Sequence, residues 1–141
     1  MILNLSIEAD RKRAGAYLSK LTDDGSVIEL KKIAKKRSLS QNSYVHALFS
    51  LFGGHFGYNI EESKQVVKQR LGYTYIKDGV EFLSQTSKMN TKEKTVFIEK
   101  FRNLSSHEGC YLPTPEEFSD NYVEMMKQVE SIESQMNRYS Y

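Results

Sequence analysis

Residues 38–56 read Ser38-Leu39-Ser40-Gln41-Asn42-Ser43-Tyr44-Val45-His46-Ala47-Leu48-Phe49-Ser50-Leu51-Phe52-Gly53-Gly54-His55-Phe56. The run opens polar and then turns apolar on almost every side, through Tyr44, Val45, Leu48, Phe49, Leu51 and Phe52. A helix with no wide polar face belongs inside a fold. Residues 39–56 are therefore expected to be the buried centre of the molecule, with the Gly53-Gly54 pair fraying the end. Ser38 followed three residues later by Gln41 has capping-box spacing, which sets the expected start.

Immediately upstream stand Lys31-Lys32-Ile33-Ala34-Lys35-Lys36-Arg37, five cations within seven residues. A helix N-terminus carries free backbone N–H groups and partial positive charge, so it seats anions. Cations gathered at that end make a phosphate-binding corner, and phosphate in repeated form means nucleic acid. The expected contacts are Lys31, Lys32, Lys35, Lys36 and Arg37 for the sugar-phosphate backbone, with Ser38, Ser40, Gln41 and Asn42 forming the receiving helix start. Arg11-Lys12-Arg13 adds a second basic strip.

Outward from this centre, residues 2–7 alternate apolar and polar, as a half-buried strand does. Residues 8–21 place Ala14, Tyr17, Leu18 and Leu21 on one helical face. Asp23-Asp24-Gly25-Ser26 is a turn, and Val27 to Ile33 alternates as a second strand. Asn59 with Glu62 opens a helix that runs to about Leu71 before Gly72. Asp78-Gly79, between Tyr73–Lys77 and Val80–Leu83, is a strong two-residue hairpin signal. Asn90 with Glu93 opens a helix to about Glu108, ended by Gly109. Thr114-Pro115-Glu116-Glu117 has a cap, a proline in the first turn and a glutamate at the third position. The expected fold is α+β: a small mixed sheet of two N-terminal strands plus the hairpin, packed with helices, in a single domain over residues 1–141. A long C-terminal helix at residues 115–139 completes it.

That last helix carries a heptad seam: Phe118, Tyr122, Met125, Val129, Ile132, Met136 and Tyr139. The seam admits two partners, the chain's own core helices or a second copy of the chain.

Composition bounds the function. A chain of 141 residues can bury a core. No apolar run approaches the length of a membrane span, and the N-terminus reads as a strand rather than a signal peptide. One cysteine, Cys110, permits no internal disulfide, which suits a reducing cytoplasm. The net charge of +2 hides an asymmetry: residues 1–37 carry nine Lys/Arg against five Asp/Glu, and residues 114–141 carry two against six. Such polarity suggests one face for a polyanion and another for something else.

Catalytic signals are weak. His46, His55 and His107 lack partners in any metalloenzyme pattern. His107 and Cys110 make half a metal site with no second half. Carboxylates for a metal-dependent nuclease would come from Glu61, Glu62, Glu81 and Glu99, with Lys77 and Lys88 beside the hairpin. No metal or cofactor is expected. Single strands are gripped by stacking as well as charge; Tyr73 and Tyr75 are the candidates on the hairpin, with Tyr58 and Tyr111 elsewhere. No exposed base-reading helix is visible, so little sequence specificity is expected.

Arg37-Ser38-Leu39-Ser40-Gln41-Asn42 before an aromatic helix resembles the Arg-Ser-Leu-x-Gln-Asn segment of the NinB (Orf) family of phage recombination proteins. Thr86-Ser87-Lys88-Met89-Asn90, Phe97-Ile98-Glu99-Lys100-Phe101-Arg102-Asn103 and Tyr111-Leu112-Pro113 are similar to further stretches of that family, in the same order. The resemblance spans about residues 25–116. It implies a recombination mediator that binds single-stranded DNA as a homodimer and helps exchange single-strand-binding protein for a recombinase, in the host cytoplasm if phage-encoded. Two other readings stay open: a metal-dependent nuclease acting on DNA, and a protein–protein adaptor without direct DNA contact.

Overall fold

The computed structural model describes residues 1–139, with side chains through Met136. The chain is mostly helical. In order it forms α1 (Glu8–Asp24), α2 (Gln41–Phe56), α3 (Ile60–Leu71), β1 (Thr74–Lys77), β2 (Val80–Leu83), a short 3-10 turn (Thr86–Lys88), α4 (Thr91–His107), α5 (Pro115–Asp120) and α6 (Tyr122–Tyr139). The class is α+β, as the sequence implies, with a sheet of only two antiparallel strands.

α2 is the centre, packed against α3, α4 and α6. Leu48, Phe49 and Phe52 are fully enclosed. Phe49 meets Phe101 of α4 at 4.9 Å between ring centroids, and Phe52 meets Phe101 edge-on at 5.6 Å. At the other end Tyr44 sets its ring edge-on to Phe118 and donates from its hydroxyl to the Pro113 carbonyl at 2.6 Å. Burial pushes the Tyr44 phenol up to about 12. Gly53-Gly54 does not fray this helix, which runs on to Phe56 and ends at Gly57. The glycines instead permit close approach. A Cβ on Gly53 would stand 2.4 Å from the Tyr58 carbonyl oxygen, and one on Gly54 would stand 2.6 Å from Ile132 Cδ1.

Local capping chemistry fixes the other helices. Asn59 and Glu62 form a reciprocal capping box on α3, Asn90 caps α4 through the Glu93 amide, and Thr114 with Glu117 boxes α5. Asp78 and Gly79 both take positive φ, 53° and 75°, the geometry a tight two-residue hairpin needs. Lys77 pairs with Val80 and Tyr75 with Phe82.

Three expectations need correction. Residues 2–7 and 27–33 form no strand. An alternating pattern names the face a strand would bury but supplies no neighbour for its backbone. In the N-terminal segment carboxylates take that role: the Ile2 amide donates to Glu130 at 3.0 Å and the Asn4 amide to Asp10 at 2.8 Å. Val27 and Leu30 stay exposed. The expected core face of α1 is likewise unpacked, with Tyr17 and Leu18 exposed and Asp10 its one buried residue. Asp10 accepts from Lys127 of α6 at 2.6 Å, which ties α1 down. Finally, the C-terminal helix is broken at Asn121 (φ −118°, ψ 35°), whose side-chain amide donates back to the Glu117 carbonyl.

The heptad seam finds its partner within the chain. Phe118, Tyr122 and Val129 are buried in the core, Met125 packs against it, and Ile132 covers Gly54 of α2. Met136 is half-buried on α6. The Tyr139 side chain lies outside the described residues.

Candidate nucleic-acid interface

The helix start differs from the expected one by two residues. Ser40, not Ser38, caps α2: its Oγ accepts from the Ser43 amide at 3.2 Å. Gln41 does not close a capping box. Its side chain donates instead to the Thr91 carbonyl at 3.4 Å and Thr95 Oγ1 at 3.3 Å. That contact lays the N-termini of α2 and α4 side by side. The Gln41 and Asn42 amides donate to no group among the described residues, and the first turn of α2 holds no acid. The α2 end thus presents positive potential beside the α4 end, whose first turn carries Glu93. Lys88 and Lys92, which bracket the start of α4, are exposed and make no ion pair among the described residues.

The five upstream cations are all exposed. The Arg37 amide donates to the Ser119 carbonyl at 3.3 Å, and its guanidinium lies 5.7 Å from the centre of the Tyr122 ring. Lys36 Nζ stands 4.0 Å from Asp120, and Lys31 Nζ 3.3 Å from Glu29. Both pairs are about three-quarters exposed, a setting in which ion pairs contribute little and exchange readily. Lys32 and Lys35 have no ion-pair partner among the described residues. Lys31, Lys32, Lys35 and Lys36 line a groove of about 950 Å³, which Asp120 and Glu124 line as well. Ser38 lies outside the helix, beside a smaller hollow with Pro115 and Glu116.

The two hairpin tyrosines part company. Tyr73 sets its ring edge-on to Phe97 at 4.9 Å, under the Lys100 ammonium, and belongs to the core margin. Tyr75 is 49 % exposed and stacks on its cross-strand partner Phe82 at 5.6 Å. Phe82, 43 % exposed, completes an open aromatic pair. Tyr58 stacks on Phe52 in the core, and Tyr111 donates its hydroxyl to Glu117 with Arg102 over its ring.

Sequence reasoning missed a cleft of about 470 Å³ between α2, α3 and the turn after β2. Asn42 opens it at the α2 start, and Leu83 borders it at the hairpin base. Lys64 and Lys68 of α3 line it, and Lys68 is only 5 % exposed. The spacing of the two lysines, one turn apart beside Val67 and Leu71, was the available signal: it sets them on the margin of the helix's apolar stripe.

The carboxylates of a nuclease reading are exposed and divided among three elements, Glu61 and Glu62 on α3, Glu81 on β2 and Glu99 on α4. No three His, Cys, Asp or Glu residues converge as metal donors among the described residues. His46 bonds Glu133 at 3.2 Å, and Cys110 is buried with its carbonyl held by Ser105. No helix among the described residues is long and apolar enough to cross a membrane. Comparison of the chain with protein-family models, curated proteins and solved structures finds no match.

Proposed function

We propose that this chain is a NinB-like accessory protein of phage recombination that binds single-stranded DNA with little sequence specificity. The observation that carries the reading is the α2 start. Two unengaged amides and a first turn without acids mark this helix end, and five exposed cations precede it in the chain, four of them lining the groove beside the N-terminal segment and the start of α6. Phosphates gain both charge and backbone donors there. The Tyr75–Phe82 pair offers a base-stacking surface on the hairpin. The mediator role, with single-strand-binding protein or a recombinase as partner, comes from the resemblance alone.

A homodimer is part of the same proposal, and its contact surface shifts from the one expected. The α6 seam is taken up by the chain's own core. Apart from the hairpin and the N-terminal segment, exposed apolar side chains stand on α1 and the arm that follows it, at Tyr17, Leu18, Val27, Ile28 and Leu30. A 17-residue helix that buries one residue is a poor independent unit, so a second copy is the partner this surface suits.

The test is a labelled oligothymidylate incubated with the protein and magnesium. Binding that leaves the strand intact supports the proposal. Cleavage would replace it with the nuclease reading, and absence of binding at low salt would favour the adaptor.

A further inference from the structure

The cleft bounded by α2, α3 and the turn after β2 holds an ammonium that the fold does not explain. Lys68 is 5 % exposed, yet it makes no hydrogen bond or ion pair among the described residues. It stands over the Phe49 ring, 5.9 Å from Nζ to the ring centre. The nearby acid, Glu61, engages Lys64 at 3.6 Å instead. Nζ is not sealed away: the sole side-chain polar atom fully enclosed without a partner among the described residues is Ser63 Oγ.

The lining around this lysine includes the Glu61 carboxylate, held by Lys64, the His46 ring, held by Glu133, and a set of idle donors. The side chains of Asn42, Gln85, Thr86 and Ser87 border the cleft and make no hydrogen bond among the described residues. We propose that the cleft is a phosphate-binding site built on the Lys68 ammonium, with Lys64 as second charge and the Asn42 amide and Thr86 and Ser87 hydroxyls as further donors. Several short donors around one buried cation suit a compact anion with oxygens in every direction. Two lysines disfavour a metal ion, and the polar rim disfavours an apolar ligand. Burial holds the Lys68 pKa below its ordinary 10.5, the condition an incoming anion relieves. Asn42 belongs both to this cleft and to the α2 start, so a strand seated on the helix end passes the opening. The source of the phosphate, a nucleotide of the bound strand, rests on the DNA-binding reading; the site itself does not.

The experiment uses the full chain with 13C-labelled lysines, the Lys68 ε-CH2 resonance being assigned by its loss in Lys68→Met. Inorganic phosphate, titrated against chloride at constant ionic strength, is expected to shift that resonance, and an oligothymidylate is expected to shift it likewise. In the Met variant the dependence of log K for the oligonucleotide on log salt is expected to fall by about 0.7, one phosphate contact on a single strand. A response to phosphate but none to the oligonucleotide keeps the site and overturns the strand as its ligand. A resonance that ignores phosphate overturns the site, even when the protein binds DNA through its basic segment.

Discussion

Lys68→Met is expected to stabilise the protein, and the size of the gain follows from the surroundings of one side chain. An ammonium held at 5 % exposure with no ion-pair partner among the described residues, and only the more distant Glu61 as a favourable charge, costs about 1–3 kcal/mol. Its contact with the Phe49 ring offsets about 0.5–1 kcal/mol of that. Methionine keeps the packing of the stem and removes the charge, so the variant should gain about 1–2 kcal/mol. For a domain of this size the gain corresponds to roughly 2–8 °C in Tm. The pH dependence supplies a second check. Burial lowers the folded-state pKa of Lys68, so the unfolded chain holds the proton more tightly, and the penalty fades as pH rises toward 10.5. The advantage of the variant should therefore be largest near neutral pH and shrink on the alkaline side. Urea melts of both proteins, subtracted at each pH, isolate this effect from Tyr44, whose raised pKa is common to both. A variant that is equally or less stable at pH 7 would refute the reasoning, because it would mean that the ammonium is already compensated.

Other substitutions test the remaining parts of the account. Gly53→Ala adds about 1 kcal/mol of helix propensity, but its methyl meets the Tyr58 carbonyl, which is held close because the Gly57 and Tyr58 amides both bond the Gly53 carbonyl. Overpacking of about 1–3 kcal/mol should win, while Gly15→Ala, with open space around it, should stabilise; thermal melts that place both on the same side of wild type would contradict this. Tyr75→Ala should weaken single-strand binding by about 1–3 kcal/mol, roughly 5- to 150-fold, with little change in Tm, and unchanged anisotropy titrations would remove the hairpin from the interface. Lys127 and the Asn4 amide hold the Asp10 carboxyl below the ordinary 3.8, so its stabilising contribution is present above that value and is lost as pH falls through the lowered pKa. Amide protection of residues 1–24, taken relative to the intrinsic exchange rate at each pH, should fall in acid for wild type and be low at every pH in Asp10→Asn; identical profiles would show that the Asp10–Lys127 contact does not anchor α1.

What the sequence disclosed, and what it withheld, divides along the range of the interactions. Asn59 with Glu62, Asn90 with Glu93, Thr114 with Glu117 and the Asp78-Gly79 turn act over a few residues, and each is legible because its chemistry is complete locally. The N-terminal strands failed because alternation carries no information about a partner. Glu130 and Asp10, distant in sequence or geometry, took the amides that a neighbouring strand would have paired. The cap slipped from Ser38 to Ser40 because Gln41 was drawn to α4, fifty residues away. The basic segment was legible as charge, but Lys32 and Lys35, without an ion pair among the described residues, were not distinguishable from Lys31 and Lys36 until Glu29 and Asp120 were in place. Lys68 was invisible for a plainer reason: a lysine in a charged helix reads as solvated, and only the packing of α3 on α2 buries it.

The central claim, that the exposed cations of the segment leading into α2 grip a sugar-phosphate chain, is tested most directly by the salt dependence of oligothymidylate binding in Lys32→Ala/Lys35→Ala. These two side chains have no ion pair to lose among the described residues, so the substitution should leave the fold untouched. If each contacts one phosphate, the slope of log K against log salt should fall by about 1.4 relative to wild type. Identical slopes and affinities in the two proteins would contradict the account.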